Sequence, residues 1–200
     1  MGRKLFHSES LLWKPFGFLG ELVMLSLLWA VCSIPLVTVG PATAALYDAV
    51  VHNMRRKEND LFSRFFHTFR AELKTGLLST LLWAALIGLP LFLHPRVLAA
   101  AGAGATRPLD IALVLLLFFL SAILCWVFPT LSRFTFGFVG LNRTAAQLAL
   151  GNILRSVVLV ALTALGVALS WLFVAPVFFM PALVTLLASY LIEPVFRRYE

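Results

Sequence analysis

Charged residues are scarce in this chain, and those present are unevenly distributed. Only 12% of its 200 residues are charged while 61% are hydrophobic, and the mean hydropathy is +0.96. No charge lies within 22–47, 77–93, 111–132 or 156–192, and each run approaches or exceeds the roughly 20 apolar residues that cross a bilayer as a helix. A soluble domain needs a more polar surface, so we expect an all-α membrane protein.

Residues that carry chemistry are also few. The four histidines, His7, His52, His67 and His94, are dispersed and lack metal-ligand spacing such as H-x-x-x-H. The two cysteines lie near the ends of apolar runs, where packing is the simpler role than a disulfide. No Ser/His/Asp set, phosphate loop or carboxylate pair occurs in one place. We expect no enzyme, no metal and no cofactor, with a His52/His67 metal site as the weaker alternative.

Proline divides the apolar runs into membrane spans. The run 156–192 is too long for one crossing, and Pro176 and Pro181 at its middle indicate a hairpin of two helices. The sequence therefore predicts one integral membrane domain over 1–200. Its five transmembrane helices are expected at about 19–34, 76–93, 109–129, 156–174 and 177–194.

The lysines and arginines orient these spans. Eleven of the sixteen fall in the 40–75 loop, the 130–155 loop and the C-terminal tail, and five on the opposite side. The positive-inside rule then places the C-terminus in the cytoplasm and the N-terminus outside the plasma membrane. The net charge of +7 is accounted for by these flanks and by attraction to anionic lipid. Since no basic stripe is interleaved with stacking aromatics, we expect no nucleic-acid partner.

The stretch "CSIPLVTVG", residues 32–40, interrupts an apolar run with Pro35 and Gly40, and Pro41 follows it. A residue before proline avoids the helical region, so the first span is expected to end near Ile34. The residues "PLVTV" are then expected to run extended, and a new helix to begin with Pro41 at its first position. Thr38 and Thr43 are expected to supply local hydrogen bonds. We interpret the segment as an elbow at the membrane exit in preference to a binding site.

An amphipathic helix is expected after the elbow, capped by Asn59 or Asp60. Its apolar side consists, at helical spacing, of Leu61, Phe62, Phe65, Phe66, Phe69 and Leu73. Its polar side consists mainly of Ser63, Arg64, His67, Arg70 and Lys74. Such a helix suits the cytoplasmic membrane interface, and it would also fit the groove of a partner. Asp48, just before it, is expected on a solvated helix face.

A weak internal repeat relates the two halves of the chain. "LLWAVCSIP" ending at Pro35 is echoed by "SAILCWVFP" ending at Pro129, and a polar stretch and a further span follow each. This pattern predicts a parallel duplication plus a fifth helix. Small residues at strict four-residue spacing in span two, and a comparable set in span four, then predict that these two helices meet near the centre. In span two they are Gly76, Thr80, Ala84 and Gly88, and in span four Ala161, Ala164 and Ala168.

The motifs of residues 27–78 resemble the YesL-like family of bacterial membrane proteins. The resemblance rests on Cys-Ser-x-Pro-x-Val-Thr-x-Gly at 32–40, on "ATAALY" at 42–47 and on the phenylalanine-rich helix, with "LSRF" after Pro129 and "SYLIEPVFRRY" at the end. It implies no assigned reaction. Because such proteins are often encoded beside ATP-driven carbohydrate uptake systems, it implies an accessory role there.

These patterns together predict a non-enzymatic membrane protein that acts by association, with a carbohydrate transporter of the ABC type or with itself. The alternative is a small self-associating carrier or channel for a neutral solute. The candidate sites are structural or partner contacts, namely Pro35, Thr38, Gly40, Thr43, Tyr47, Phe66, Phe69, Pro129 and Arg133.

The orientation can be tested by cysteine-accessibility labelling of whole cells. Single cysteines at Arg3 and Arg198 should label from opposite faces, because five crossings place the two ends on opposite sides. Labelling of both positions from one face would contradict the five-span topology.

Overall fold

The fold is helical throughout the residues that the computed structural model describes, 9–55, 60–101, 106–134, 136–173 and 175–197. Within these ranges the α-helices are α1 (Glu9–Cys32), α2 (Val39–Ala49), α3 (Leu61–Ala71), α4 (Leu73–Ala101), α5 (Thr106–Arg133), α6 (Phe138–Gly151), α7 (Ile153–Leu172) and α8 (Met180–Phe196). A π-helical segment, Val50–Arg55, continues α2, and short 3₁₀ turns occupy Leu36–Thr38 and Ala175–Phe178. The all-α prediction is confirmed.

Among the described residues, three helices are long and apolar enough to cross a membrane: α4, α5 and α7. The segment Gly17–Cys32 of α1 and the whole of α8 are apolar but shorter. The five predicted spans fall on these five helices, with most ends shifted by a few residues, but α1 begins ten residues earlier and α4 ends eight residues later than predicted. Large apolar side chains such as Phe92 of α4 and Ile111 of α5 are well exposed, which is the surface expected of helices that face hydrocarbon.

The hairpin predicted at Pro176 and Pro181 is present. Helix α7 ends at Leu172, and α8 begins at Met180 with Pro181 in its first turn. Proline fits there because the first N–H groups of a helix have no intrahelical acceptor. The two helices contact each other, and at Gly166 an added Cβ would lie 2.6 Å from Val184 Cγ2.

The elbow differs from its prediction in two respects. Helix α1 ends at Cys32, and only Pro35 is extended, with φ −74° and ψ 110°. The next residues form a 3₁₀ turn instead of an extended run, and Pro41 is the third residue of α2 instead of the first. The turn is stabilised by the Thr38 hydroxyl, which is 2.6 Å from the Cys32 carbonyl and 2.7 Å from that of Pro35. Such a side-chain bond favours a tight turn over extended backbone.

Helix α2 is the centre of the fold. Nine of its residues are buried, and it packs against α1, α3, α4, α5 and α8. Its small residues allow this crowding, most clearly at Gly40. A Cβ at Gly40 would clash with Thr80 Oγ1 and would lie 2.7 Å from Phe128 Cε1 and 2.8 Å from the Gly76 carbonyl. The Gly40 N–H donates to Thr80 Oγ1 at 3.1 Å.

The prediction that spans two and four meet at the centre is wrong. Both α4 and α7 pack on α5, and in the described ranges they form no packed pair with each other. Two buried indole N–H groups, which need acceptors, contribute to the orientation of these helices. Trp83 of α4 donates to Asn142 of α6, and Trp126 of α5 donates to Ser156 of α7, each at 2.9 Å. Those orientations leave Ala84, Gly88, Ala161, Ala164 and Ala168 exposed.

The amphipathic helix is present as α3, but rotated from its prediction. Phe65 is buried and Phe69 is partly buried, whereas Phe62 and Phe66 are 49% and 40% exposed. Asp60 occupies the capping position without a side-chain cap. The alternative cap Asn59, like Arg3 and Arg198 at the two ends of the chain, lies outside the described residues.

Gly40→Ala should lower the free energy of unfolding by roughly 1–3 kcal/mol, because the new methyl group overpacks the contact between α2 and α4. Gly88→Ala is the matched control, since no atom lies within 4 Å of its added Cβ. Thermal unfolding of both variants in detergent measures the difference. Equal melting temperatures would contradict the close approach at Gly40.

Candidate functional site

The end of α2 carries two adjacent residues that enter two different buried polar networks. Asp48 contacts α3, and Tyr47 contacts the ends of α5 and α8. The carboxylates of these networks, Asp48 and Glu193, are each only 4% exposed. A buried carboxylate is strongly destabilising unless it is paired, so the partners of these two groups define the candidate site.

Asp48 is bound from two helices. Arg64 Nε donates to Asp48 Oδ2 at 2.9 Å, and the Thr68 hydroxyl donates to the same oxygen at 2.7 Å. His52 Nδ1 lies 3.0 Å from Asp48 Oδ1 and 2.9 Å from the Asp48 carbonyl. One face of α3 is thereby fixed to the end of α2. Directly after α3, partial burial raises the pKa of the Glu72 carboxyl.

The neighbours of His52 determine which of its ring nitrogens carries the proton. Arg64 Nη2 lies 2.8 Å from His52 Nε2, and a guanidinium can only donate. His52 Nε2 must therefore accept, which places the ring proton on Nδ1, facing Asp48. Asp48, His52 and Arg64 thus form a chain in which each polar contact has one donor and one acceptor.

Glu193 is the centre of the second network. Arg133 donates to Glu193 Oε1 twice, from Nη2 at 2.6 Å and from Nε at 3.0 Å. The Tyr47 hydroxyl donates to the same oxygen over a longer distance of 3.4 Å. The side chains of Arg133 and Glu193 are 11% and 6% exposed. This pair joins the last turns of α5 and α8, and Tyr47 adds α2.

The structure brings only two of the predicted site residues together, Tyr47 and Arg133, through Glu193. Thr38 and Thr43 make the predicted local bonds: Thr43 donates to the Val39 carbonyl at 2.7 Å and accepts from Trp29 Nε1 at 3.1 Å. Pro35 is exposed at the elbow, and Gly40 is the close contact with α4.

The remaining predicted residues lie apart from both networks. Pro129 is buried within α5, where its carbonyl accepts from Ser132 Oγ at 2.9 Å. Phe69 stacks on Phe65, with ring centroids 6.3 Å apart. Phe66 faces outward from α3.

Two expectations about charged residues are wrong. Asp48 is buried and does not lie on a solvated face. Arg64, predicted on the polar side of α3, is one helical turn before the buried Thr68, and both side chains bind Asp48. Glu193 and Thr68 were missed, and His52 was considered only as a metal ligand. Glu193 is the acidic residue that ends the uncharged run 156–192, and His52 follows Asp48 by four residues, the spacing of one helix face.

A polar cleft of about 230 Å³ lies over the Asp48 network, lined by His52, Asn53, Asp60, Ser63, Arg64 and His67. Asn53 Oδ1 in its wall is buried without a hydrogen-bond partner. Across the described residues, no group of three His, Cys, Asp or Glu side chains is arranged to hold a metal ion.

The outer surface of α3 forms a continuous stripe that we name the α3 face. It consists, at spacings of one helical turn, of Phe62, Ser63, Phe66, His67 and Arg70, with Lys74 at the start of α4. All six residues are exposed and none is acidic. An open groove lined by Ser63, Phe66, His67, Arg70 and Ala71 runs along it. The arrangement offers aromatic and cationic groups on a helix that is fixed from behind by Asp48.

The Arg133–Glu193 pair can be tested by a double-mutant cycle. Arg133→Met and Glu193→Met should each lower the free energy of unfolding by roughly 3–5 kcal/mol, because each leaves one charge buried and unpaired. The double variant should lose much less free energy of unfolding than the sum of the two single losses.

The matched control is the exposed pair His94–Asp110, at 2.8 Å, whose coupling should be about 0–1 kcal/mol. Unfolding by denaturing detergent gives all the values. Additive losses at Arg133 and Glu193 would show that the pair is not coupled.

Part of the chain matches a known protein family. Residues 22–93 match a family described as DUF624, a protein family of unknown function. The matched segment includes the elbow, α2, α3 and the Asp48 network, but neither Arg133 nor Glu193. No curated protein and no solved structure matches the chain. The chain is therefore similar to DUF624 over a little more than a third of its length.

Proposed function

We propose that this protein is a non-enzymatic integral membrane protein that acts by association with another membrane protein, and that the α3 face is its docking surface. The observation that carries the proposal is the contrast between the two sides of α3. The inner side is held by a buried carboxylate, and the outer side exposes two phenylalanines among cations. Exposed aromatic residues on an ordered helix are typical of interaction sites.

The charge of the α3 face indicates the chemistry of the partner. Arg70 and Lys74 are exposed, and His67 lies between the two phenylalanines and Arg70. Without acidic residues in the stripe, the complementary surface is apolar with acidic groups at its edge, and complementary charge speeds and orients association. A partner helix with both features would lie along the groove beside Phe66.

The proposed topology has five crossings, formed by α1, α4, α5, α7 and α8, in the plasma membrane. The C-terminus is cytoplasmic and the N-terminus is outside, which puts the basic 40–75 segment and α3 on the cytoplasmic side. With 17 residues, α8 is the shortest of these five helices, since an α-helix rises by 1.5 Å per residue. The cytoplasmic position makes the α3 face accessible to the inner-side domains of a partner.

The proposed partner is a carbohydrate transporter of the ABC type, with a second copy of this chain as the alternative. The support for a transporter is the resemblance to the YesL-like family. The match to DUF624 carries no functional information, so the identity of the partner has to come from capture in native membranes.

A carrier role is less well supported. The cavity of about 480 Å³ beside Thr43 is the site that a carrier for a neutral solute would use. The Thr43 hydroxyl already donates to Val39 and accepts from Trp29. A polar solute would have to replace these bonds, which favours association over transport.

The docking surface can be tested by photo-crosslinking in native membranes. Benzoylphenylalanine at Phe66 should capture a membrane protein, identified by mass spectrometry, whereas the same group at Phe92 of α4, which is 60% exposed, should capture lipid. Capture of lipid alone at Phe66 would contradict docking, and capture of the same chain would identify a homo-oligomer.

The matched variants are Phe62→Ser with Phe66→Ser against Phe92→Ser. Loss of each docking phenylalanine should weaken partner binding by about 2 kcal/mol, or roughly thirty-fold, while Phe92→Ser should leave it unchanged. Co-purification from membranes at fixed expression measures the effect. Unchanged recovery in the double variant would place the partner elsewhere.

A further inference from the structure

The cavity beside Thr43 lies among the apolar helices, away from the α3 face. Its volume is about 480 Å³, within the roughly 300–1,000 Å³ of typical ligand cavities. Trp29 of α1 and Thr43 of α2 form one wall, Thr163, Gly166 and Ser170 of α7 the second, and Thr185 with its neighbours on α8 the third. We name it the α7 cavity.

The α7 cavity separates helices that would otherwise be neighbours. In the described ranges, α1 and α2 pack on α8, and α8 packs on α7, but neither α1 nor α2 forms a packed interface with α7. At the contact between α7 and α8, Gly166 and Val184 meet closely. The cavity is thus a gap in the bundle between two well-packed pairs of helices.

The hydroxyl groups of the lining already donate hydrogen bonds within the protein. Thr163 donates to the Leu159 carbonyl at 2.9 Å, and Ser170 donates to Gly166 at 2.8 Å. Thr185 donates to Pro181 at 2.7 Å. Thr43 and Trp29 bond each other.

No charged residue belongs to the lining, and none of its side chains is among those with an unpartnered buried polar atom. The interior therefore offers a ligand mainly apolar contact, because the threonine and serine hydroxyls of the lining already donate within the protein.

The position of α7 determines what can enter. This helix is one of the three with the length and composition to cross a membrane. Beside the cavity, Val167 is 69% exposed and Trp171 is 91% exposed, so the cavity opens toward the medium that surrounds α7. For a membrane helix that medium is hydrocarbon.

We infer that the α7 cavity binds one acyl chain of a bilayer lipid, which fills the gap between α7 and the α1–α2 pair. The acyl chain supplies the van der Waals contacts that α7 and the α1–α2 pair do not make with each other. This inference goes beyond the proposed function and does not depend on it, because it involves neither α3 nor its cations.

Photolabelling of the full chain tests the inference. The probe is a phosphatidylcholine with a diazirine at the end of one acyl chain, added to the protein in mild detergent and then diluted with detergent before illumination. Adducts should persist on the segments of Trp29, Thr163 and Thr185 after dilution. Adducts on the open α4–α5 surface near Phe92 and Leu116 should be lost, because nothing there encloses a chain.

Two variants narrow the cavity from opposite walls, Ser170→Phe on α7 and Thr185→Leu on α8. Each should reduce cavity labelling to the level of the α4–α5 surface. Val158→Phe is the control, since Val158 is exposed on the same helix α7 but outside the cavity, and it should label like the parent. Circular dichroism and gel filtration show whether each variant is folded. If one of the two cavity variants does not fold, the other one still tests the inference.

Labelling of the cavity segments no stronger than that of the α4–α5 surface would overturn the inference. Unchanged labelling in a folded Ser170→Phe or Thr185→Leu variant would overturn it as well. So would displacement of the probe by a soluble hexose, which would identify a polar solute site. Because the docking test is read at Phe66, either proposal can fail without the other.

Discussion

The burial of two carboxylates, Asp48 and Glu193, is the constraint on which the arrangement of the helices depends. An unpaired charge at either position would be strongly destabilising, so a cation must reach each one. Arg64 does so from α3 and Arg133 from α5. Those two pairs determine which face of α3 is turned inward and hold the last turns of α5 and α8 together.

The rest of α2 is adapted to this central position by small side chains. Gly40, Ala42, Ala44, Ala45 and Ala49 are buried and let α4, α5 and α8 approach its backbone. Close approach through small residues is how helices associate where lipid is as apolar as the side chains. The apolar surface left over faces outward along α4, α5 and α7, as the uncharged runs of the sequence predict.

Features that depend on one helix at a time could be predicted from the sequence. The helical class, the apolar helices near the predicted spans and the hairpin at Pro176 and Pro181 follow from hydropathy and proline. The helix faces could not be predicted equally well. Small residues at four-residue spacing placed Ala84 and Gly88 in the core, whereas the hydrogen bonds of Trp83 and Trp126 contribute to the orientation of α4 and α5. The partners of those indoles, Asn142 and Ser156, are distant in sequence.

For the site, too, contacts within one segment were predictable from the sequence, and contacts between distant segments were not. Thr38 and Thr43 bond within their own segment, and their role was predictable. Asp48 lies sixteen residues from Arg64, and Glu193 sixty from Arg133, and no periodicity of one helix relates such pairs. The one sequence signal at Asp48 and Glu193 is that each is a single charged residue next to a long uncharged run. For Asp48 that signal was interpreted as a solvent-exposed helix face.

Tyr47 and Asp48 are neighbours in sequence, which has a mechanical consequence for α2. With 3.6 residues per turn, their side chains leave the helix about 100° apart, so α2 is held at two points around its circumference. It cannot turn about its own axis without stretching the bond to Glu193 or the bonds to Arg64 and Thr68. A pull on α3 that rotated α2 would therefore act at once on the junction of α5 and α8. The central helix α2 thus couples the position of α3 to that of α5 and α8.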